Sequence, residues 1–289
     1  GDFTNSSGTF TYRDQTVTFD DAAQVSHIYG NITFYNLTCA TAGKELQFEA
    51  GTTKTITNTL TLTGESDNLI TLNSTAGTAW LLIMNGAYDI DYVNVSYSDA
   101  SGGRTMYGAN STNGGNNTNW IFTGATITWD GSSSTDWNTA ANWDLNRQPV
   151  EGDDVIIPSS GVTNEPTLSD VYAVGSLTMA SGRTLTCDSN LTVVNNVDVD
   201  ATLDLNAITF TVGGSIDFTN GTIQEDIATI VMNASSGTKT LTTEGETLYN
   251  LTINDGGGGA IFQLVDTLTL SNNLTVTQGT LDANDRNLT

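Results

Sequence analysis

The chain has 289 residues, with 32 acidic against 8 basic side chains and a formal net charge of −24. A field of that sign opposes binding to nucleic-acid phosphates or to an anionic membrane surface, and no basic stripe offsets it. Apolar residues make up only 37% while threonine alone supplies about 50, and no stretch reads as an amphipathic helix, with apolar residues recurring at i, i+3 and i+4 nearly absent. These features exclude a helical bundle and predict an all-β chain. No apolar run is long enough to cross a bilayer as a helix.

From residue 1 to about 64 the sequence is a series of short alternating runs. Thr16-Val17-Thr18-Phe19, Ile32-Thr33-Phe34, Leu46-Gln47-Phe48 and Leu60-Thr61-Leu62 each have a period of two, broken at Asp20-Asp21, Gly30-Asn31, Gly43-Lys44 and Gly51. Strands this short cannot stand alone and need neighbours above and below. Residues 65–120 drift from the rhythm. Ala79-Trp80-Leu81-Leu82-Ile83-Met84 reads as a strand buried on both faces, and 98–119 is a polar loop rich in Gly and Asn.

The texture breaks at 120–168, which holds four of the five tryptophans and all three prolines. It reads Trp129-Asp130-Gly131, Asp136-Trp137, Asn142-Trp143, Pro149, then Asp153-Asp154-Val155-Ile156-Ile157-Pro158. This passage resembles large bacterial extracellular β-helix surface proteins of the adhesin or filamentous-haemagglutinin-like kind. The resemblance implies a secreted, repetitive, non-enzymatic surface protein and transfers no catalytic residue. Physically, bulky rings and Pro suit a cap or seam over a solenoid end. A sugar platform is the competing reading, with Trp129, Trp137 and Trp143 stacking on pyranose faces and Asp136 or Asn142 bonding hydroxyls.

Beyond 168 the ladder resumes, with Leu177, Leu185, Leu191, Val197, Leu203, Phe210, Ile216, Ile223 and Ile230 six to eight residues apart. That spacing fits strands stacked in a coil. The expected architecture is a right-handed parallel β-helix in two stretches, 1–120 and 169–289, joined by the Trp/Pro element at 121–168; the hand follows from the general preference of parallel crossovers.

Internal echoes add to this. Leu191-Thr192-Val193, Asn195-Asn196-Val197 and Val199 match Leu268-Thr269-Leu270, Asn272-Asn273-Leu274 and Val276, a shift of 77. Phe34-Tyr35-Asn36-Leu37-Thr38 matches Leu248-Tyr249-Asn250-Leu251-Thr252, and Asp2-Phe3-Thr4-Asn5 matches Asp217-Phe218-Thr219-Asn220. Leu281 to Thr289 aligns with Leu203 to Thr211, so the start of the chain resembles what would follow its end. The expected partners are therefore copies of the chain placed head to tail, as tandem repeats or stacked subunits, with Gly1, Asp2, Phe3, Leu288 and Thr289 at the junction. Extracellular glycans are the other expected partner, and the expected location is the cell surface.

Candidate chemistry is sparse. Asp89/Asp91 and Asp198/Asp200 could serve as paired acids for glycoside hydrolysis, but no base stands near them in sequence. His27, the single histidine, has no evident relay partner. The expectation is that the chain is not an enzyme and holds no cofactor; Asp153-Asp154 and the Asp282/Asn284/Asp285 turn are the oxygen clusters suited to a structural calcium ion. About 13 Asn-x-Ser/Thr triplets occur; Asn36, Asn190, Asn250 and Asn273 are the glycosylation candidates, each in an Asn-Leu-Thr that the coil pattern itself generates. Cys39 and Cys187 each close a Leu-Thr-Cys triplet, which predicts buried free thiols rather than a disulfide.

Overall fold

The computed structural model describes residues 1–289 apart from Ser7, Thr9 and Glu225. It is an all-β structure, with parallel strands stacked as a β-solenoid of about 13 turns. The chain divides into two compact units, Gly1–Thr123 and Gly124–Thr289, each with its own core. Every ladder between strands is parallel. Among the described residues the antiparallel pairings are two isolated bridges, Glu65 with Asn68 and Trp129 with Trp143.

The first unit is built on two six-stranded sheets, and the second on sheets of eight, four and six strands. Period-two alternation becomes an inside and an outside, and each inward residue sits over its equivalent one turn earlier. In the second unit one such column runs Tyr172, Leu191, Phe210, Ile230, Leu251, Leu274. Another runs Val155, Leu177, Val197, Ile216, Leu241, Leu264. Apart from Leu274, the members of both columns are buried. Burial of each aliphatic side chain is worth about 1.5–3 kcal/mol, one contribution among several per turn that oppose the entropy lost in ordering it. Cys39 and Cys187 are fully buried free thiols in such columns, and burial pushes the ionisation of both above the ordinary range.

The structure separates the two sequence echoes. Phe34–Leu37 and Leu248–Leu251 are structural equivalents. Phe34 pairs with Ile56 and Asn36 with Thr59 across a bulge, and Leu248 pairs with Leu270 and Asn250 with Asn273 across the same bulge. The extra residue in each upper strand presents an asparagine. Asn58 Nδ2 donates to Asn36 Oδ1 (2.8 Å) and Asn36 Nδ2 to Thr16 Oγ1 (3.1 Å); Asn272 Nδ2 donates to Asn250 Oδ1 (2.9 Å) and Asn250 Nδ2 to Thr229 Oγ1 (3.2 Å). The 77-residue echo behaves differently. Leu191–Val193 lies in the six-stranded sheet and Val197–Val199 in the eight-stranded one, whereas Leu274 and Val276 lie in the same six-stranded sheet as Leu191. The repeated motif is therefore turned by one face of the coil: corners consume different numbers of residues, and a match along the chain does not preserve the face.

Two lysines interrupt the apolar interior of the first unit. In Thr53-Lys54-Thr55-Ile56 the lysine has the inward parity, between Ile32 and Leu82 on the adjacent turns. Its stem lines an apolar void with Leu37, Phe48, Trp80 and Trp120, and its Nζ donates to Gly30 O at 2.7 Å and to Thr52 Oγ1. Lys44 Nζ donates to Ser26 Oγ at 2.7 Å and to Gln24 O. Both are fully buried. Burial lowers the Lys54 ammonium to about 8, with Glu49 opposing the shift. Below pH 8 the folded state must hold that charge at full cost. Between about 8 and the unfolded value of 10.5 the unfolded chain binds a proton that the folded chain does not, so stability rises with pH. Lys54→Met is therefore expected to raise the melting temperature at pH 6–7, with the gain shrinking toward pH 10; scanning calorimetry of both proteins across that range checks it.

Candidate functional site

The three tryptophans of the 124–168 segment form one cluster. Trp129 stacks on Trp137 (6.2 Å between centroids), and Trp143 meets both edge-on at 4.9 and 4.7 Å. Tyr172, at the first position of the column that continues through Leu191, stands edge-on to Trp137 at 6.2 Å. The exposures of Trp129, Trp137 and Trp143 are 0, 0 and 2%, and all three belong to the core that runs on through Leu177 to Leu268. In this arrangement none offers a ring face to a sugar, which corrects the stacking-platform reading: the rings fill the first turns of the second unit instead. Trp129 Nε1 donates to Asn164 O (2.8 Å) and Trp143 Nε1 to Trp137 O (2.9 Å).

Asn142 and Asp136 are spent on the same passage. Buried Asn142 accepts from the backbone N–H of Ser133 and Ser134 (2.9 and 2.8 Å) and donates to Ser134 Oγ and Asp136 O (3.0 and 2.8 Å). That uses its whole amide. Asp136 accepts from Asn138 N (3.0 Å) and Thr139 Oγ1 (3.1 Å). Sequence reasoning singled out both residues but assigned them outward bonds.

Asp153 and Asp154 do not form a cation cage, which corrects the calcium expectation at this pair. Asp153 is fully buried. One of its oxygens accepts from Ala125 N (2.9 Å) and Arg147 Nη2 (2.8 Å), and the other from Val150 N (2.8 Å) and Arg147 Nη1. Both oxygens are already filled by donors, so a cation would have to displace the partly buried guanidinium of Arg147. Asp154 points to the opposite side, exposed, and accepts from Ser176 Oγ at 2.6 Å. Among the described residues no group of three or more His, Cys, Asp or Glu converges.

The paired acids stack along the sheets. Asp198 lies in register with Asp217; burial raises its carboxyl pKa, with Asp200 and Asp217 adding to the shift. Burial raises that of Asp89 also, with Asp91 contributing. The ion pairs among the described residues are His27–Asp2, Arg147–Asp153 and Arg183–Glu165, and none of them brings a base to these acids. His27 Nδ1 lies 3.0 Å from Asp2 Oδ1, and its ring stacks on Tyr29.

Of the glycosylation candidates, Asn36 and Asn250 have their side-chain amides donated into the inter-turn ladders, and Asn190 accepts from Thr209 N at 2.9 Å. Asn273 is exposed.

Sequence reasoning missed the carboxylate of Asp255. It accepts four consecutive backbone N–H groups, from Gly257 and Gly258 on one oxygen (2.8 Å each) and Gly259 and Ala260 on the other (2.7 and 2.8 Å). The Gly258 bond is the largest cause holding its pKa below the usual carboxylate value. An Asp ahead of four glycines was the available signal, a loop able to wrap an anion.

The strand Thr269–Gln278 pairs with Thr247–Asn254, and its Leu274 and Val276 are 37 and 49% exposed. The equivalents of these two in the first unit, Leu60 and Leu62, are covered by the strand Ala87–Asp91 and are 2 and 3% exposed. Val171 and Ile227 are exposed as well, at 53 and 57%.

Residues 128–212 match the model of a protein family described as a domain of unknown function (DUF8693). The match starts at the tryptophan cluster and runs through the first turns of the second unit's core. No curated protein and no solved structure matches the chain.

Proposed function

We propose that this chain is a structural unit of an extracellular, cell-surface fibre in which such coils follow one another head to tail. The observation that carries the reading is the recurrence of one coil element along the chain, the bulged pairings of Phe34–Leu37 and Leu248–Leu251 with their asparagine ladders. Repeated units of this kind stack on their neighbours into long rods, and contacts between unlike ends propagate into filaments instead of closing into dimers. The Trp-x-Gly and Asp-Asp-Val-x-Ile-Pro resemblance to bacterial surface proteins supports the location, and the matched family, itself without a described function, adds no activity.

A net charge of −24 makes copies repel one another, so assembly is expected to strengthen with ionic strength. Sedimentation velocity and negative-stain imaging from about 10 mM to 1 M salt, where the screening length falls from about 30 to 3 Å, read it directly. A chain that stays monomeric at every concentration and salt would end the proposal.

A further inference from the structure

We infer that Asn85 is a site of spontaneous covalent modification, losing its side-chain amide through a cyclic imide with Gly86, and that the fold directs this reaction to Asn85 in preference to the other Asn-Gly pairs of the chain.

The coil itself creates the pair. Asn85 and Gly86 connect the strands Trp80–Met84 and Ala87–Asp91, which both lie beside the strand Thr53–Thr63 of the preceding turn. A Cβ at position 86 would stand 1.8 Å from the carbonyl oxygen of Asn58 and 2.5 Å from its carbon, so this connection admits only glycine. The other Asn-Gly pairs, Asn113-Gly114 and Asn220-Gly221, arise in the same way. A Cβ at Gly114 would meet Ser96 Oγ at 2.2 Å, and one at Gly221 would meet Val199 O at 2.1 Å. Glycine is also the neighbour least able to shield its own nitrogen from the asparagine before it. All three asparagines are exposed, so neither steric demand nor access separates them.

Hydrogen bonding does. In the reaction the glycine nitrogen gives up its proton and bonds to the side-chain carbonyl carbon of the asparagine; the bond from that carbon to the amide nitrogen breaks, and ammonia leaves with the proton. Water then opens the imide at either carbonyl, giving aspartate or isoaspartate, with no change of oxidation state. The side chain must therefore be free to swing and the glycine N–H free to ionise. At Asn113 the side chain is tied down, because Oδ1 accepts from Gly115 N at 3.0 Å and Asn117 Nδ2 at 2.8 Å. At Asn220 the attacking group is tied down, because Gly221 N donates to Phe218 O at 2.8 Å. Asn85 is fixed only by its backbone N–H, which donates to Ile56 O at 3.1 Å. Among the described residues neither its side-chain amide nor the Gly86 N–H has a hydrogen-bond partner.

Arg104 adds to the selection. Its Nη1 donates to Gly86 O at 3.1 Å, and its guanidinium lies over the Tyr88 ring. One of only 8 basic side chains thus stands on the residue whose nitrogen must become anionic, and a positive charge there lowers the cost of losing the proton. Isoaspartate lengthens the backbone of the connection that leads into Ala87–Asp91, the strand that covers Leu60 and Leu62.

Incubation of the whole chain in mildly alkaline buffer, read by peptide mass spectrometry and by isoaspartate methyltransferase labelling, follows the three sites separately. In the folded protein Asn85 is expected to convert about tenfold faster than Asn113 or Asn220, the rate effect of one hydrogen bond that must first break. In the chain unfolded with guanidinium the three are expected to convert at comparable rates, because only the fold separates them. Arg104→Met, checked for folding by circular dichroism, is expected to slow conversion at Asn85 several-fold; if it does not fold, the folded and unfolded native sequence decide. Conversion of Asn113 or Asn220 ahead of Asn85 in the folded protein, or the same ranking folded and unfolded, would overturn the inference.

Discussion

Trp143→Ala is expected to destabilise the Gly124–Thr289 unit by about 3–5 kcal/mol, the range for deleting a large aromatic from a packed core. The indole touches Trp129 and Trp137 edge-on and is 2% exposed, so truncation opens a cavity beside both rings. The change also removes the indole N–H that donates to Trp137 O at 2.9 Å. Denaturant unfolding followed by tryptophan fluorescence measures it. Because Trp80 and Trp120 belong to the other core, the Gly1–Thr123 unit should unfold at an unchanged midpoint. A variant with native stability would return the cluster to consideration as a surface platform.

Arg147→Met should cost a comparable amount, about 3–5 kcal/mol, for a different reason. The methionine keeps much of the aliphatic volume while leaving the carboxylate of Asp153 buried without its counter-ion, and an uncompensated interior charge is what makes a broken buried pair expensive. Asp153 keeps two backbone donors, Ala125 N and Val150 N, so the double variant Arg147→Met with Asp153→Asn should recover most of the loss. Equal stability of single and double variants would show that the pair contributes through packing alone. Thermal melts of the three proteins at neutral pH separate these outcomes.

Much of this architecture is legible in the residues. The alternation of Leu and Thr around Leu185, Leu191 and Leu203 determines which side chains turn inward, and the Leu-Thr-Cys triplets place both thiols inside. What the sequence does not show is how corners spend residues. The 77-residue echo looks like an axial repeat, yet it joins residues on different faces, whereas the weaker Phe-Tyr-Asn-Leu-Thr echo marks the true equivalence, bulge included. The charge of Lys44 and Lys54 by itself favours water. Only their inward parity, opposite Leu82 in the case of Lys54, shows that the stem belongs inside, with backbone carbonyls receiving the ammonium. The Trp/Pro passage stands out in the residues, but not the direction in which its polar groups point. Asn142 and Asp136 have the chemistry to hold a sugar hydroxyl, and local serines and threonines reach them first.

The short offset between paired residues has a kinetic meaning. Leu191 meets Phe210, Phe210 meets Ile230 and Ile230 meets Leu251, so closing each turn ties together a loop of about 20 residues, and the same modest entropy is lost every time. Folding then proceeds as winding, with each finished turn the template for the next. Damage has the same locality. A protease cut in one corner leaves the turns on either side still stitched to their own neighbours, and the molecule frays from an end before it fails in the middle.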